Sequence, residues 1–372
     1  MEIREYDKPM IVTRWLTPGK RLAAGLFVLL SMGFLALAGS GASRLTSAAS
    51  VGGQDKAASY EEEYAQGIGM LRRQRYDEAL KSFKRANDLR EKKSAASFLG
   101  MAQAYLGLEA YKNVIESSDR AIELGGSDPL IAPQAYNLKG LALQAQSEGK
   151  NLKKLQEAEA SLRQGLAGGT DAVPMLHYNL GIVLMQQNRD PEGVVELKKY
   201  LELQPEAPVS EQASKMIENP RRARESYAPD FSFTTADGEY LSLEDLRGKV
   251  VLLDFWGTWC PPCVRSVPAL REINKKYSKD PAFVMISIAT RDDNETWRGF
   301  IAENKMTWRQ GRDENGIVQR AFNVRAFPTY MVIDHEGILR FRTTGANDDR
   351  EAAMEDAVRK QLKLVGKTSP AN

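Results

Sequence analysis

Two cysteines and two histidines are all that 372 residues contain of the side chains that most often bind zinc or form disulfides. That excludes a disulfide-rich scaffold and a four-cysteine zinc site. A mixed site would need Cys260, Cys263, His177 and His335 to converge, and their spacing is not that of a zinc motif. No metal is therefore expected. Charge of one sign is lacking too: 51 basic residues stand against 49 acidic ones, a formal net charge of +2. With no block of like charge, a nucleic-acid partner is not expected. The pair Gly67 and Gly69 lacks the third glycine of a dinucleotide-binding loop, having Arg72 in its place.

What is present begins with an export segment. Arg14, Lys20 and Arg21 precede an uncharged stretch from Leu22 to Ser43 whose apolar centre is LAAGLFVLLSMGFLALA. Ala36-Leu37-Ala38 fits a small-x-small cleavage site, while about 20 uncharged residues also suffice to span a bilayer. Residues 1–43 thus read as a cleaved signal peptide or a membrane anchor. No cysteine lies near it to carry a lipid. Either way the positive flank stays inside. The remainder is expected outside the cytoplasm, in a bacterial-type periplasm, anchored to the inner membrane or soluble after cleavage.

Residues 44–59, small and polar, read as a flexible tether. From 60 to 205 apolar residues recur at three and four, and strand-like alternation is missing, so an all-α region is expected. A repeat runs through it. Gly67, Tyr76, Ala79, Leu80, Phe83 and Ala86 mark one unit. Ala102, Tyr105, Tyr111, Ile115 and Ala121 mark a second, and Gly140, Ala158 and Leu162 a third. Leu180, Gly181, Leu184, Val194, Leu197 and Pro205 mark a fourth. The pattern resembles the tetratricopeptide repeat, a helix pair in which a small residue on the first helix lets the second pack close. That resemblance implies a curved solenoid binding a protein or peptide. A plain helical bundle is the alternative.

Residues 206–227 read as a short helix and a Pro/Arg-rich linker, and a different pattern occupies 228–367. FSFTTADGEYLSL holds two short strands about an Asp-Gly turn. GKVVLLDFW (248–256) and AFVMISIA (282–289) read as buried strands. Helices are predicted over 261–277, 295–304, 315–322 and 349–363, with a strand hairpin turning at 335–337. This is an α/β domain with a mixed sheet covered on both faces.

The cysteines sit in LLDFWGTWCPPC, across the first turn of the predicted helix. Their i, i+3 spacing allows a disulfide, and the helix start favours a thiolate on the first sulfur. Cys-x-x-Cys in a strand–helix–strand setting is a redox signal. A purely structural disulfide would close too small a loop to stabilise much.

The stretch APDFSFTTADGEYLSLEDLRGKVVLLDFWGTWCPPC resembles the start of the redoxin branch of the thioredoxin superfamily. It is most similar to the exported, often membrane-tethered TlpA-like thiol:disulfide oxidoreductases, over about residues 228–365. The resemblance implies an enzyme that needs no bound cofactor beyond the Cys260–Cys263 redox disulfide. Cys260 would be the exposed attacking thiol and Cys263 the resolving one. Pro328 would be the cis-proline facing the pair, offering the backbone of Phe327 to substrate. Asp254 would be a buried proton acceptor for Cys263, and Pro268 the kink in the active-site helix. Trp259, Pro261 and Thr329 join Phe327 as expected substrate contacts, whereas Trp256 reads as either contact or core. Expected partners are disulfide-bearing proteins and a membrane thiol reductant. Cytochrome c biogenesis is among the open settings. One departure stands out: many TlpA-like members have glutamate where this chain has Ser266. The acid role then falls on Asp254 alone.

The two prolines carry their own expectation. Proline has no N–H, so the first backbone donor after Cys260 belongs to Cys263. A less stabilised thiolate makes a less oxidising pair, a reductant rather than a disulfide donor. The competing functional readings are a protein-binding scaffold with a secondary thioredoxin-like module, and a disulfide isomerase.

Overall fold

The computed structural model describes residues 51–125, 128–167 and 172–368. The export segment expected over 1–43 lies outside these residues. Among the described residues no helix is long and apolar enough to cross a membrane. They divide into two compact units between Arg224 and Glu225.

The first unit is all helix: α1 (Val51–Arg72), α2 (Tyr76–Leu89), α3 (Ala95–Gly107), α4 (Tyr111–Gly125), α5 (Ile131–Ser147), α6 (Leu152–Leu166), α7 (Met175–Gln186), α8 (Asp190–Leu203) and α9 (Ser210–Glu218). Each helix packs on the next, and α1, α3, α5 and α7 also touch in series. The seams depend on small residues. A Cβ on Gly67 would lie 2.7 Å from the Phe83 ring, one on Gly140 2.6 Å from Leu162, and one on Gly181 2.8 Å from Leu197. In the second pair the equivalent positions are Ala102 and Ser118, both fully buried. Two small residues there replace one very small and one large.

Two sequence expectations change here. The tether expected over 44–59 is helical from Val51 onward. Gln54, Lys56, Ala57 and Ala58 favour helix and extend one already anchored at Tyr60. The linker expected over 206–227 belongs mostly to the helical unit. Val209, Ala213, Met216 and Ala223 are buried. Arg224 binds the Asp190 carboxylate and the Met185 carbonyl, and Gln186 donates to the Ala223 carbonyl at 3.1 Å.

The second unit is built on a five-stranded sheet of order β5-β4-β3-β6-β7 beside a β1-β2 hairpin. The strands are β1 (Ser232–Thr234), β2 (Tyr240–Ser242), β3 (Val250–Trp256), β4 (Phe283–Thr290), β5 (Arg309–Asp313), β6 (Thr329–Ile333) and β7 (Leu339–Thr344). Neighbours β3, β4 and β5 run parallel, whereas β6 pairs antiparallel with both β3 and β7. Helices α10 (Pro261–Tyr277), α11 (Asn294–Glu303), α12 (Ile317–Ala321) and α13 (Asp348–Thr368) complete it. Every residue of β3 and β4 is buried, as crossover helices on a parallel sheet require. One face packs Leu252, Trp256 and Met285 against α10, α11 and α13. The other packs Leu253, Phe255 and Ile286 against the hairpin, Val318 and Phe322.

Strand β5 was not foreseen. Its sequence, RQGRD, carries no apolar residue. It is an edge strand, registered on β4, with the hairpin bridging to it at Thr235 and Gly311. Edge strands tolerate charge that a central strand does not.

The glycine seams allow a stability test. A Cβ on Gly193 would lie 2.7 Å from the Gly181 carbonyl oxygen, a backbone atom that cannot move aside, whereas one on Gly69 meets nothing within 4 Å. Gly193→Ala is expected to destabilise by about 2 kcal/mol. Gly69→Ala is expected to stabilise by up to ~1 kcal/mol through helix propensity. Thermal or urea unfolding followed by circular dichroism measures both.

Candidate active site

Cys260 caps helix α10 in extended conformation, and Pro261 and Pro262 fill the first helical positions. Proline is tolerated there because the missing N–H has no intrahelical partner. Cys260 and Cys263 form a disulfide with Cα atoms 5.3 Å apart. The Cys263 N–H donates to Cys260 Sγ at 3.3 Å, the one backbone donor on that sulfur among the described residues. Pro268 lies inside the same helix.

Cys260 is buried, only 4% exposed in the disulfide form, which corrects the expectation of an exposed thiol. It belongs to the buried cluster that includes Trp256, Val267 and Trp297, brought together from separate elements. Gly257 lets the Trp259 ring pack close to the chain: a Cβ there would sit 2.5 Å from the indole nitrogen. Trp259 is 43% exposed, whereas Trp256 is 1% exposed and belongs to the core. The Phe327–Pro328 peptide is cis. Phe327 is half-buried and stacks edge-on against Trp259, ring centroids 5.3 Å apart. Pro261 is exposed at the rim.

Thr329 departs from its expected role. Its side chain is fully buried, and its hydroxyl donates to the Ala326 carbonyl at 2.7 Å. It braces the loop before Pro328 rather than meeting substrate.

Asp254 stands in the middle of β3, 1% exposed, on the sheet face that also packs both cysteines. Its register partners are Ser287 on β4 and Tyr330 on β6. Ser287 donates its hydroxyl to Asp254 Oδ2 at 2.8 Å, and the Trp308 indole N–H donates to Ser287 at 2.8 Å. Oδ1 has no hydrogen-bond partner among the described residues. Burial pushes the carboxyl up to about 7, with the Ser287 hydrogen bond opposing the rise. The Tyr330 phenol is pushed up by burial and by the Asp254 charge.

Ser266, at the position where relatives were expected to carry glutamate, is buried. It accepts from the Tyr330 hydroxyl at 2.6 Å and donates to the Cys263 carbonyl at 2.9 Å. It is thus a neutral brace between α10 and β6. Sequence reasoning missed Ser287, Trp308 and Tyr330 as members of the site. Ser287 had a readable signal, a lone hydroxyl within an apolar strand. Trp308 and Tyr330 had none, since only the sheet register brings them to Asp254.

The histidines stay apart from this chemistry: His177 lies in α7, 2.7 Å from Glu196, and His335 in the hairpin turn. Among the described residues no three His, Cys, Asp or Glu side chains converge as metal ligands.

A family profile described as Redoxin matches residues 223–360. Over 125 residues the chain is 35% identical to the thioredoxin-like protein YneN of Bacillus subtilis, covering 33% of this chain and 73% of that protein. Over 110 residues it is 31% identical to the thiol-disulfide oxidoreductase ResA of Bacillus thuringiensis. That match covers 30% of this chain and 63% of the relative, just under two thirds of its length. A solved thiol:disulfide interchange protein of Chlorobium tepidum shares 26% identity over 37% of this chain and 97% of its own, with a TM-score of 0.34.

The buried carboxyl has a pH signature. Its native pKa of about 7 exceeds the unfolded value of about 4. The folded state therefore keeps a proton that the unfolded chain releases. The stability contributed is complete below about pH 4, falls as pH rises through about 7, and levels off above. The urea midpoint of the oxidised protein is expected to drop between about pH 4 and 7 and to level off above, and Asp254→Asn to flatten that drop. Parallel profiles for the two proteins would reject the buried-carboxyl account.

Proposed function

The chain belongs to the redoxin family within the thioredoxin superfamily and is a thiol:disulfide oxidoreductase, and from that premise we propose that it reduces disulfides of partner proteins outside the cytoplasm. The observation that carries the direction is that, among the described residues, one backbone N–H, that of Cys263, reaches Cys260 Sγ across two prolines. A sulfur with few donors gains little from ionising, which favours the disulfide over the dithiolate form and makes the reduced protein an electron donor.

In the proposed cycle the Cys260 thiolate attacks one sulfur of the substrate disulfide. A mixed disulfide forms and the other substrate sulfur leaves as thiolate. Cys263 then gives its proton to Asp254 and attacks Cys260 Sγ. The second substrate sulfur departs, and Cys260–Cys263 is left oxidised by two electrons. A carboxyl with a pKa of about 7 can accept that proton at neutral pH and return it to solvent or product. Trp259, Phe327 and the Phe327 backbone would hold the substrate segment. A membrane-embedded dithiol carrier would restore the reduced pair.

The helical unit is read as a tetratricopeptide-like array that recruits or orients the partner. Its serial packing of α1, α3, α5 and α7 and its Gly67, Gly140 and Gly181 seams support that reading. The N-terminal segment would deliver the protein as a signal or an anchor.

Two experiments test the proposal. Cys263→Ser should accumulate covalent mixed disulfides on Cys260, resolved by mass spectrometry, and adding Cys260→Ser should abolish them. If a Cys260→Ser protein fully rescues a deletion strain, the oxidoreductase is not the working part and the scaffold reading takes over. Pro261→Gly adds a donor near Cys260 and should raise the reduction potential on the order of 20–30 mV, about one hydrogen bond's worth. Equilibration with glutathione measures it, and an unchanged or lower potential rejects the proline argument.

A further inference from the structure

The two oxygens of Asp254 are held unequally. Ser287 Oγ lies 2.8 Å from Oδ2 and 2.8 Å from the Trp308 indole nitrogen. Oδ1 has no partner among the described residues, on the sheet face that packs both cysteines. All three side chains are enclosed: Ser287 is 0% exposed, Asp254 1% and Trp308 6%. Trp308 precedes β5 and belongs to the same buried cluster as Cys260 and Cys263.

The directions of these bonds follow from the hydrogens each group owns. An indole nitrogen only donates, so Ser287 must accept from Trp308. A hydroxyl has one hydrogen, and Oδ2 is its one acceptor among the described residues. Ser287 therefore donates to Oδ2 whether Asp254 is charged or neutral. A proton on Oδ2 would point at Ser287 and leave the serine hydrogen buried without an acceptor, at a cost in free energy. A proton on Oδ1 displaces no existing bond. Groups on the other elements do not compete. Gln310, the register partner of Ser287 on β5, bonds to neither group. Elements α11 and α13 bring Trp297, Met354 and Val358 to this cluster. The titratable groups here are the cysteines of α10 and Tyr330 of β6, whose hydroxyl is committed to Ser266 at 2.6 Å. Glu351 of α13, half-buried, bears on Tyr330.

We propose that Trp308 and Ser287 are positioning residues that reserve Oδ1 of Asp254 for the proton of Cys263. This rests on the proton-acceptor role proposed above for Asp254 and states which of its oxygens acts, and why. Trp308 sets the hydrogen of Ser287, and Ser287 occupies Oδ2. The thiol proton passes from Cys263 Sγ to Oδ1 as that sulfur attacks Cys260 Sγ, and the substrate sulfur leaves with the electron pair of the broken bond. The serine bond also favours the ionised carboxyl, which keeps the base available at neutral pH.

Two readouts test this. The oxidised protein is titrated while the infrared C=O stretch of the protonated carboxyl is recorded, with Asp254→Asn identifying the band. A carbonyl that accepts a hydrogen bond absorbs at lower frequency. Ser287→Ala should therefore move the band to higher frequency, and Trp308→Phe should broaden it by freeing the serine hydrogen. In the second readout the fully reduced protein is mixed with 2-hydroxyethyl disulfide and acid-quenched at intervals. Mass spectrometry then follows the mixed disulfide on Cys260, whose decay reads the attack of Cys263. That rate should rise with pH through a midpoint near neutrality in the wild type, and Asp254→Asn should remove the step. Ser287→Ala should raise the midpoint by about one pH unit, roughly the worth of a hydrogen bond to a charged group. Ser287→Thr, which keeps the hydroxyl, should restore both readouts. Ser287→Ala removes a single heavy atom and decides the question even if Trp308→Phe does not fold. If Asp254→Asn removes the step but Ser287→Ala shifts neither midpoint nor band, only the positioning proposal fails. If Asp254→Asn leaves the profile intact, the proton-acceptor role fails and the proposal with it. If the wild type forms no mixed disulfide, the reductase reading fails. The band needs no turnover, and its frequency in Ser287→Ala still decides which oxygen holds the proton.

Discussion

Strand β3 is hydrogen-bonded on both sides and packed on both faces, and the chemistry of the protein depends on that enclosure. Six of its seven residues are apolar and lie in the dark between two layers. The seventh, Asp254, is enclosed on the same terms. Its carboxyl titrates near neutral pH, at about 7, because water cannot reach it, not because a charge sits beside it. A proton acceptor that switches at neutral pH thus follows from placing one polar residue in an otherwise ordinary buried strand. Where β3 ends, the chain turns through Gly257, Thr258 and Trp259 and delivers Cys260 to the start of α10.

The same enclosure explains what the neighbours of Asp254 do. Ser287 reaches it from β4 and is itself met by the Trp308 indole. On the other side, Tyr330 braces Ser266, and Ser266 braces the Cys263 carbonyl. These contacts are all neutral. A lysine or arginine in place of Ser287 would hold the carboxylate ionised and remove its capacity to take a proton at neutral pH. Asp254 is able to titrate in the useful range because its surroundings are polar but uncharged. Charge is kept to the outside, where Arg291 lies over the Trp259 ring.

The helical unit shows a different economy. Its helices approach closely where a glycine on one faces a large side chain on the next, as Gly67 faces Phe83 and Gly140 faces Leu162. Such a seam is specific in both members, since a methyl group on the glycine collides with the ring or the isobutyl group. Stability in an array of this kind is the sum of such local seams.

Much of this was legible in the residues alone. The apolar runs at 250–256 and 283–290, the glycine–aromatic spacing and the double proline before Cys263 each announce a local geometry, and local geometry is what short-range sterics and hydrogen bonding determine. The polar strand Arg309–Asp313 was not legible, because its strand character comes from pairing with β4 rather than from its own side chains. Thr329, expected as a substrate contact beside Pro328, is core, its hydroxyl 3.1 Å from that of Thr344 on β7. By itself, then, the sequence determined the helices, the central strands and the pairing of Cys260 with Cys263. Only the tertiary structure decided which groups surround Asp254 and how far Cys260 is covered, because each depends on residues distant in the chain meeting across the sheet.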